Sequence, residues 1–92
     1  MAKVVWSEQA VVSLNLIVDY IERDHPPSAA EIASRLVDAA LSLEHFSDRG
    51  RSMGGNVREL VKVRPYIIRY EVLPDVVRIL RIRHAARLPL DP

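Results

Sequence analysis

Hydrophobic positions change their period along this 92-residue chain. Lys3-Val4-Val5-Trp6 is a short, mainly apolar run that reads as a strand. From Ala10 the spacing lengthens. Ala10, Leu14, Ile17 and Ile21 recur every three or four residues, with Val11 and Val18 widening the stripe, which predicts an amphipathic helix. Ser7 stands before it with a hydroxyl able to accept from the first free amides, and Glu8 places a negative charge where the helix dipole favours one. Asp24-His25-Pro26-Pro27 ends the run, because proline cannot continue a helix and restricts the residue before it. A second helix is expected from Ser28, with Glu31 at capping-box spacing. Its apolar face is Ile32, Leu36, Ala40 and Leu43, with Ala33, Val37 and Phe46 beside it. The short link predicts an antiparallel helical hairpin.

Residues 47–55 hold all three glycines of the chain and are expected to form an exposed, mobile loop. Beyond them the period is two. Three strands are predicted, the first two separated by Arg64-Pro65 and the last preceded by the turn Leu73-Pro74-Asp75. Residues 88–92 read as a loose tail. The order is β-α-α-β-β-β, an α+β fold in one domain over residues 1–92, with the helical hairpin on one face of a small, largely antiparallel sheet.

Alternation assigns the faces. Val61, Val63, Tyr66, Ile68, Tyr70, Val72, Leu80 and Ile82 are expected to point at the helices. Arg58, Leu60, Lys62, Ile67, Arg69, Glu71, Ile79, Arg81 and Arg83 are expected on the other side. Five of those nine are cationic and one is acidic. Register is the sensitive quantity, since a bulge near Pro65 would exchange some assignments.

Charge sharpens this picture. The net charge is only +1, but residues 1–48 carry three basic against eight acidic side chains, a balance of −5. Residues 49–92 carry ten basic against four acidic, a balance of +6. An acidic helical layer can neutralise part of a basic sheet, but charges pointing away from the helices cannot reach them. An external anionic partner is therefore expected, either nucleic acid, bound or cleaved, or an acidic protein. The absence of cysteine excludes disulfides and thiolate metal sites. The apolar runs are too short to span a bilayer, and the start lacks a secretory leader, so a cytoplasmic location is expected.

The other chemistry-bearing residues are few. His84 is a candidate acid–base group, as histidines are in general, but by alternation it shares a face with Leu80 and Ile82 and is expected at the end of the core. His25 and His45 show no paired spacing, so no metal is expected. Tyr66 and Tyr70 read as core residues whose hydroxyls reach a polar edge. Arg49 and Arg51 make the glycine-rich loop a candidate contact element.

Several stretches together resemble the RelE/ParE superfamily of bacterial toxins. They are Trp6-Ser7-Glu8, Asp19-Tyr20-Ile21, Asp48-Arg49-Gly50-Arg51, Val57-Arg58-Glu59-Leu60, Tyr66-Ile67-Ile68-Arg69-Tyr70 and the run from Ile79 to Arg87. Their order and spacing carry the resemblance, which runs from Val4 to about Arg87. It implies the toxin of a type II toxin–antitoxin pair, with a cognate antitoxin as partner, no cofactor and no membrane association. RelE-like members cleave messenger RNA on the ribosome with a basic cluster; here that implies Arg58, Lys62, Arg69, Arg81 and Arg87. However, Leu60 and Ile67 stand at two positions where those nucleases carry cations, and no tyrosine or histidine follows His84. ParE-like members instead poison DNA gyrase without chemistry of their own. The loop, Arg58-Glu59-Leu60 and the His84-Ala85-Ala86-Arg87 ending are closer to that branch. The implied partner-binding set is Arg49, Arg51, Arg58, Lys62, Arg69, Arg81, Arg83, His84 and Arg87, with ribosome and mRNA as the alternative target.

Overall fold

The computed structural model describes residues 2–86; Arg87 and the tail 88–92 lie outside the described residues. The elements are β1 (Lys3–Trp6), α1 (Glu8–Glu22), α2 (Pro26–Leu41), a 3-10 turn (Ser42–Glu44), β2 (Arg51–Ser52), β3 (Val57–Leu60), β4 (Tyr66–Val72) and β5 (Val76–His84). The five strands lie in the order β1-β5-β4-β3-β2. β1 runs parallel to β5 and all other neighbours are antiparallel. This is the expected α+β arrangement, two helices on an open sheet, with one short strand added inside the glycine-rich segment.

The local chemistry of the helices accounts for their limits. The Ser7 hydroxyl accepts from the Ala10 amide at 3.0 Å and opens α1. α2 starts earlier than the Ser28 expected from sequence. His25 is its N-cap, its Nδ1 accepting from the Ser28 amide at 3.2 Å, and Pro26 and Pro27 occupy the first turn. Those prolines therefore both stop α1 and begin α2, because the first helical amides lack internal partners and proline has none to lose.

The core forms where the helices meet the sheet. Leu36, Leu43, Ile68, Tyr70, Val77 and Ile79 are its largest fully buried members. Each such aliphatic side chain contributes about 1.5–3 kcal/mol relative to exposure. Ala10, Ala39 and Ala40 keep the helix faces thin, while Trp6, Leu14, Ile17, Ile21 and Ile32 pack around the margin. Val37 and Phe46, expected beside the α2 face, are exposed.

One irregularity reorders the faces. Arg69 pairs with Arg81, but the next residue, Tyr70, pairs with Ile79, so Leu80 is the extra residue of a bulge in β5. Ile79, expected outside, is thus fully buried, and Leu80, expected in the core, lines the outer face instead. A second correction lies in β3. Arg58 pairs with Tyr70 and Leu60 with Ile68, so both stand on the helix side, and Leu60 belongs to the core. The strand ends at Leu60, which breaks the alternation; Val61 is exposed rather than buried, and Lys62 lies in the following turn.

β5 outruns β1, whose last pair is Trp6 with Ile79. The backbone beyond that point needs other partners. Helix α1 and its cap supply them: Ser7 Oγ donates to the Leu80 carbonyl at 3.0 Å, and the Ile82 amide donates to Ser13 Oγ at 2.9 Å. Two hydroxyls on one helix thereby seat α1 against the bulge.

Candidate functional site

The outer face, away from the helices, carries Arg51 on β2, Glu59 on β3, Arg69 and Glu71 on β4, and Arg78, Arg81 and Arg83 on β5. Register sets their neighbours: Arg51 opposite Glu59, Glu59 opposite Arg69, Arg69 opposite Arg81, and Glu71 opposite Arg78. The membership differs from the one read by alternation. Arg58 and Lys62 leave the face, whereas Glu59 and Arg78 join it. Arg78 was hidden because the bulge shifts parity along β5, and Glu59 because its face was set by where β3 pairs.

Glu59 is the one buried charged side chain among the described residues, at 3 % exposure. Its Oε2 meets the Arg69 guanidinium at 3.4 Å and that of Arg83 at 3.5 Å. These distances exceed those of tight charge-assisted hydrogen bonds, so Glu59 neutralises two cations without clamping either. Glu71 and Arg78 form a third ion pair at 3.4 Å. Two carboxylates thus face five arginines, and the surface keeps a surplus of positive charge.

Arg58 has a different role from its neighbours in sequence. Its Nη1 donates to the Gly50 carbonyl at 2.7 Å and to the Asp48 carbonyl at 3.3 Å, so it braces the 47–55 segment from beneath. Tyr70 braces the same turn: its hydroxyl accepts from the Gly50 amide at 2.8 Å and donates to the Ser47 carbonyl at 2.8 Å. Burial raises the Tyr70 phenol above its ordinary pKa of 10.0, opposed by the Gly50 amide and the Arg58 charge. The segment, expected to be exposed throughout, therefore has a buried anchor at Gly50. Arg49 turns back to donate to Ser42 Oγ at 3.0 Å, while Arg51 extends the outer face.

His84 pairs with Tyr66 at the end of the sheet, and the two rings meet edge to face at 5.5 Å. Its Nδ1 accepts from the Ala86 amide at 3.1 Å, so it holds the exit of β5. Of the residues expected to act together, Arg69, Arg81 and Arg83 are adjacent, with Arg51 beyond Glu59. Arg58, Arg49, Lys62 and His84 lie apart from them, and Arg87 is outside the described residues. Among the described residues there is no group of three or more side chains suited to hold a metal ion, and no helix long and apolar enough to cross a membrane.

This architecture matches known proteins. The profile of the ParE toxin of type II toxin–antitoxin systems matches residues 4–89. The chain belongs to the ParE toxin family. It is 50% identical over 88 residues to Toxin RelE2 of Caulobacter vibrioides, covering 96% of this chain and 100% of that toxin. It is also 38% identical over 82 residues to the putative toxin Y4kP of Sinorhizobium fredii, covering 87% of this chain and 84% of that one. In fold it is similar to a chain of the chromosomal ParDE TA system from P. aeruginosa, with a TM-score of 0.80 over 91% of this chain and 96% of that chain at 24% identity. This ParE-family chain is accordingly a type II toxin, and membership of such a system implies an antitoxin partner.

Proposed function

We propose that this ParE-family toxin acts on DNA gyrase as a binding inhibitor in the cytoplasm, and that its antitoxin neutralises it by covering the helical hairpin and the basic sheet. The observation that carries this reading is the commitment of Arg58. In the nuclease reading Arg58 would present its charge to a scissile phosphate; here it is spent on the carbonyls of Asp48 and Gly50. Leu60 is buried in the core, and Ile67, opposite Arg83 across the strands, is buried too. The imidazole of His84, at the end of the sheet, is engaged by Tyr66 and the Ala86 amide. A cleavage reaction needs a proton acceptor, a neutralised phosphate and a proton donor in one place. Cations whose neighbouring carboxylates, Glu59 and Glu71, are held in ion pairs favour recognition over chemistry.

The helical side supports the antitoxin part of this reading. Val12, Leu16 and Tyr20 recur every four residues along α1 at 50%, 56% and 59% exposure, a stripe that fits the apolar face of a partner helix.

The deciding experiment mixes antitoxin-free toxin with purified gyrase, ATP and supercoiled plasmid. Accumulation of linear, gyrase-linked DNA supports the proposal. The name carried by the Caulobacter relative, RelE2, motivates a parallel arm with translating ribosomes. Cleaved mRNA in that arm, with gyrase unaffected, would replace the reading by a ribosome-dependent endonuclease whose basic cluster is Arg69 and Arg81 on the outer face.

A further inference from the structure

Helix α1 ends on charges that work against it. Asp19 and Glu22 stand in its last turn, which holds no basic residue. The helix dipole is negative there, so each carboxylate weakens the helix that carries it, whereas a cation would strengthen it. Both are exposed, and neither forms an ion pair among the described residues, although Arg23 follows four positions after Asp19. We propose that the antitoxin segment covering α1 is an amphipathic helix with lysine or arginine along the flank that meets Asp19 and Glu22. This rests on the reading that the antitoxin covers the helical hairpin, and adds the chemistry that the covering segment must have.

Helical spacing places the charges beside the apolar stripe. Glu8, Asn15, Asp19 and Glu22 follow one another at intervals of seven, four and three residues, so they form one row along α1. Val12, Leu16 and Tyr20 form the neighbouring row: Val12 is four residues from Glu8, and Leu16 is three from Asp19. All seven side chains are exposed. Glu8 is accounted for by its place in the first turn, where the dipole favours it. Asp19 and Glu22 have no such account within the toxin.

The occupant follows from this arrangement. Val12 to Tyr20 spans about 12 Å, two turns of helix, which is the reach of apolar anchors on a partner helix. An apolar centre with a charged rim is the ordinary anatomy of an interface, and a rim of carboxylates selects cations opposite it. An acidic segment, which the arginines of the outer face favour, would be repelled here. The antitoxin must therefore present charge of both signs, basic along α1 and acidic over the sheet. The opposite balances of the two halves of the toxin, −5 and +6, match that division.

The test measures binding of the cognate antitoxin to purified toxin, by calorimetry and stopped-flow mixing, at about 50 mM and about 300 mM sodium chloride. The double variant D19K/E22K should bind roughly tenfold more weakly and associate more slowly at low salt, with a smaller difference at high salt. Its melting temperature alone should equal or exceed that of the parent, because lysine suits the last turn, so weaker binding cannot be ascribed to misfolding. Exchanging the basic residues of the antitoxin helix for glutamate should restore binding to D19K/E22K and weaken binding to the parent. L16D separates this inference from the reading beneath it. If L16D weakens binding while D19K/E22K binds as the parent does, or tighter, the basic flank is overturned and the hairpin interface stands. If L16D also binds as the parent does, both fall. Sedimentation of the toxin alone covers the remaining occupant: a parent dimer that L16D dissociates would assign the stripe to a second copy and overturn the proposal.

Discussion

The Tyr70 hydroxyl and the Gly50 backbone occupy the same few cubic ångströms. A Cβ on Gly50 would lie 2.6 Å from the Tyr70 oxygen and 2.9 Å from the Glu59 carbonyl. Glycine is required here for space, since its backbone dihedrals are not in the left-handed region. G50A is expected to destabilise the toxin by about 1–3 kcal/mol through overpacking against atoms that cannot retreat. Urea denaturation measures this directly, and a midpoint equal to that of the parent would mean that Tyr70 swings away at little cost.

Y70F tests the same contact from the other side. It removes an acceptor and a donor together, leaving the Gly50 amide and the Ser47 carbonyl without their partner. A cost of about 1–3 kcal/mol is expected, and it should not add to that of G50A in the double variant because the two residues share the interaction.

Tyr70 also gives the fold an alkaline limit. Its pKa is raised in the native state, so the folded chain holds the phenol proton more tightly than the unfolded chain does. Stability from this group is therefore complete below the unfolded value of 10.0 and is lost as pH rises through the higher folded value. Denaturation curves between pH 8 and pH 11 should show the parent losing stability above about pH 10, and Y70F losing less over the same range. Parallel curves for the two proteins would assign the loss to other groups.

Glu59 separates the arginines of the outer face. E59Q keeps the shape but removes the charge that Arg69 and Arg83 share. Both guanidiniums retain access to solvent, so the expected cost is about 1–2 kcal/mol, below that of stranding a deeply buried ion. Added salt should recover part of it by screening the exposed arginines. A variant as stable as the parent in low salt would show that the carboxylate contributes nothing net.

The α1 stripe predicts a separation of stability from recognition. L16D places a charge on a side chain that is more than half exposed, so the melting temperature of the isolated toxin should change little. Antitoxin affinity should fall about tenfold or more if the stripe is the buried centre of that interface. Calorimetry with the cognate antitoxin reads the outcome, and undiminished binding would move the interface to the sheet.

Local periodicity alone determined much of this protein. The spacing of Ala10, Leu14, Ile17 and Ile21, the prolines at 26 and 27, and the two-residue alternation after Asn56 identify two helices and the main strands, because those signals depend only on neighbours along the chain. Charge segregation between the halves needs nothing further. The tertiary structure decided which side chains share a face. One extra residue at Leu80 inverts the parity of β5, burying Ile79 and placing Arg78 outside, and the pairing of β3 turns Arg58 inward to hold Gly50 and Asp48. Both outcomes depend on where one strand meets another, and hydrogen bonds between distant segments are not written in the period of either.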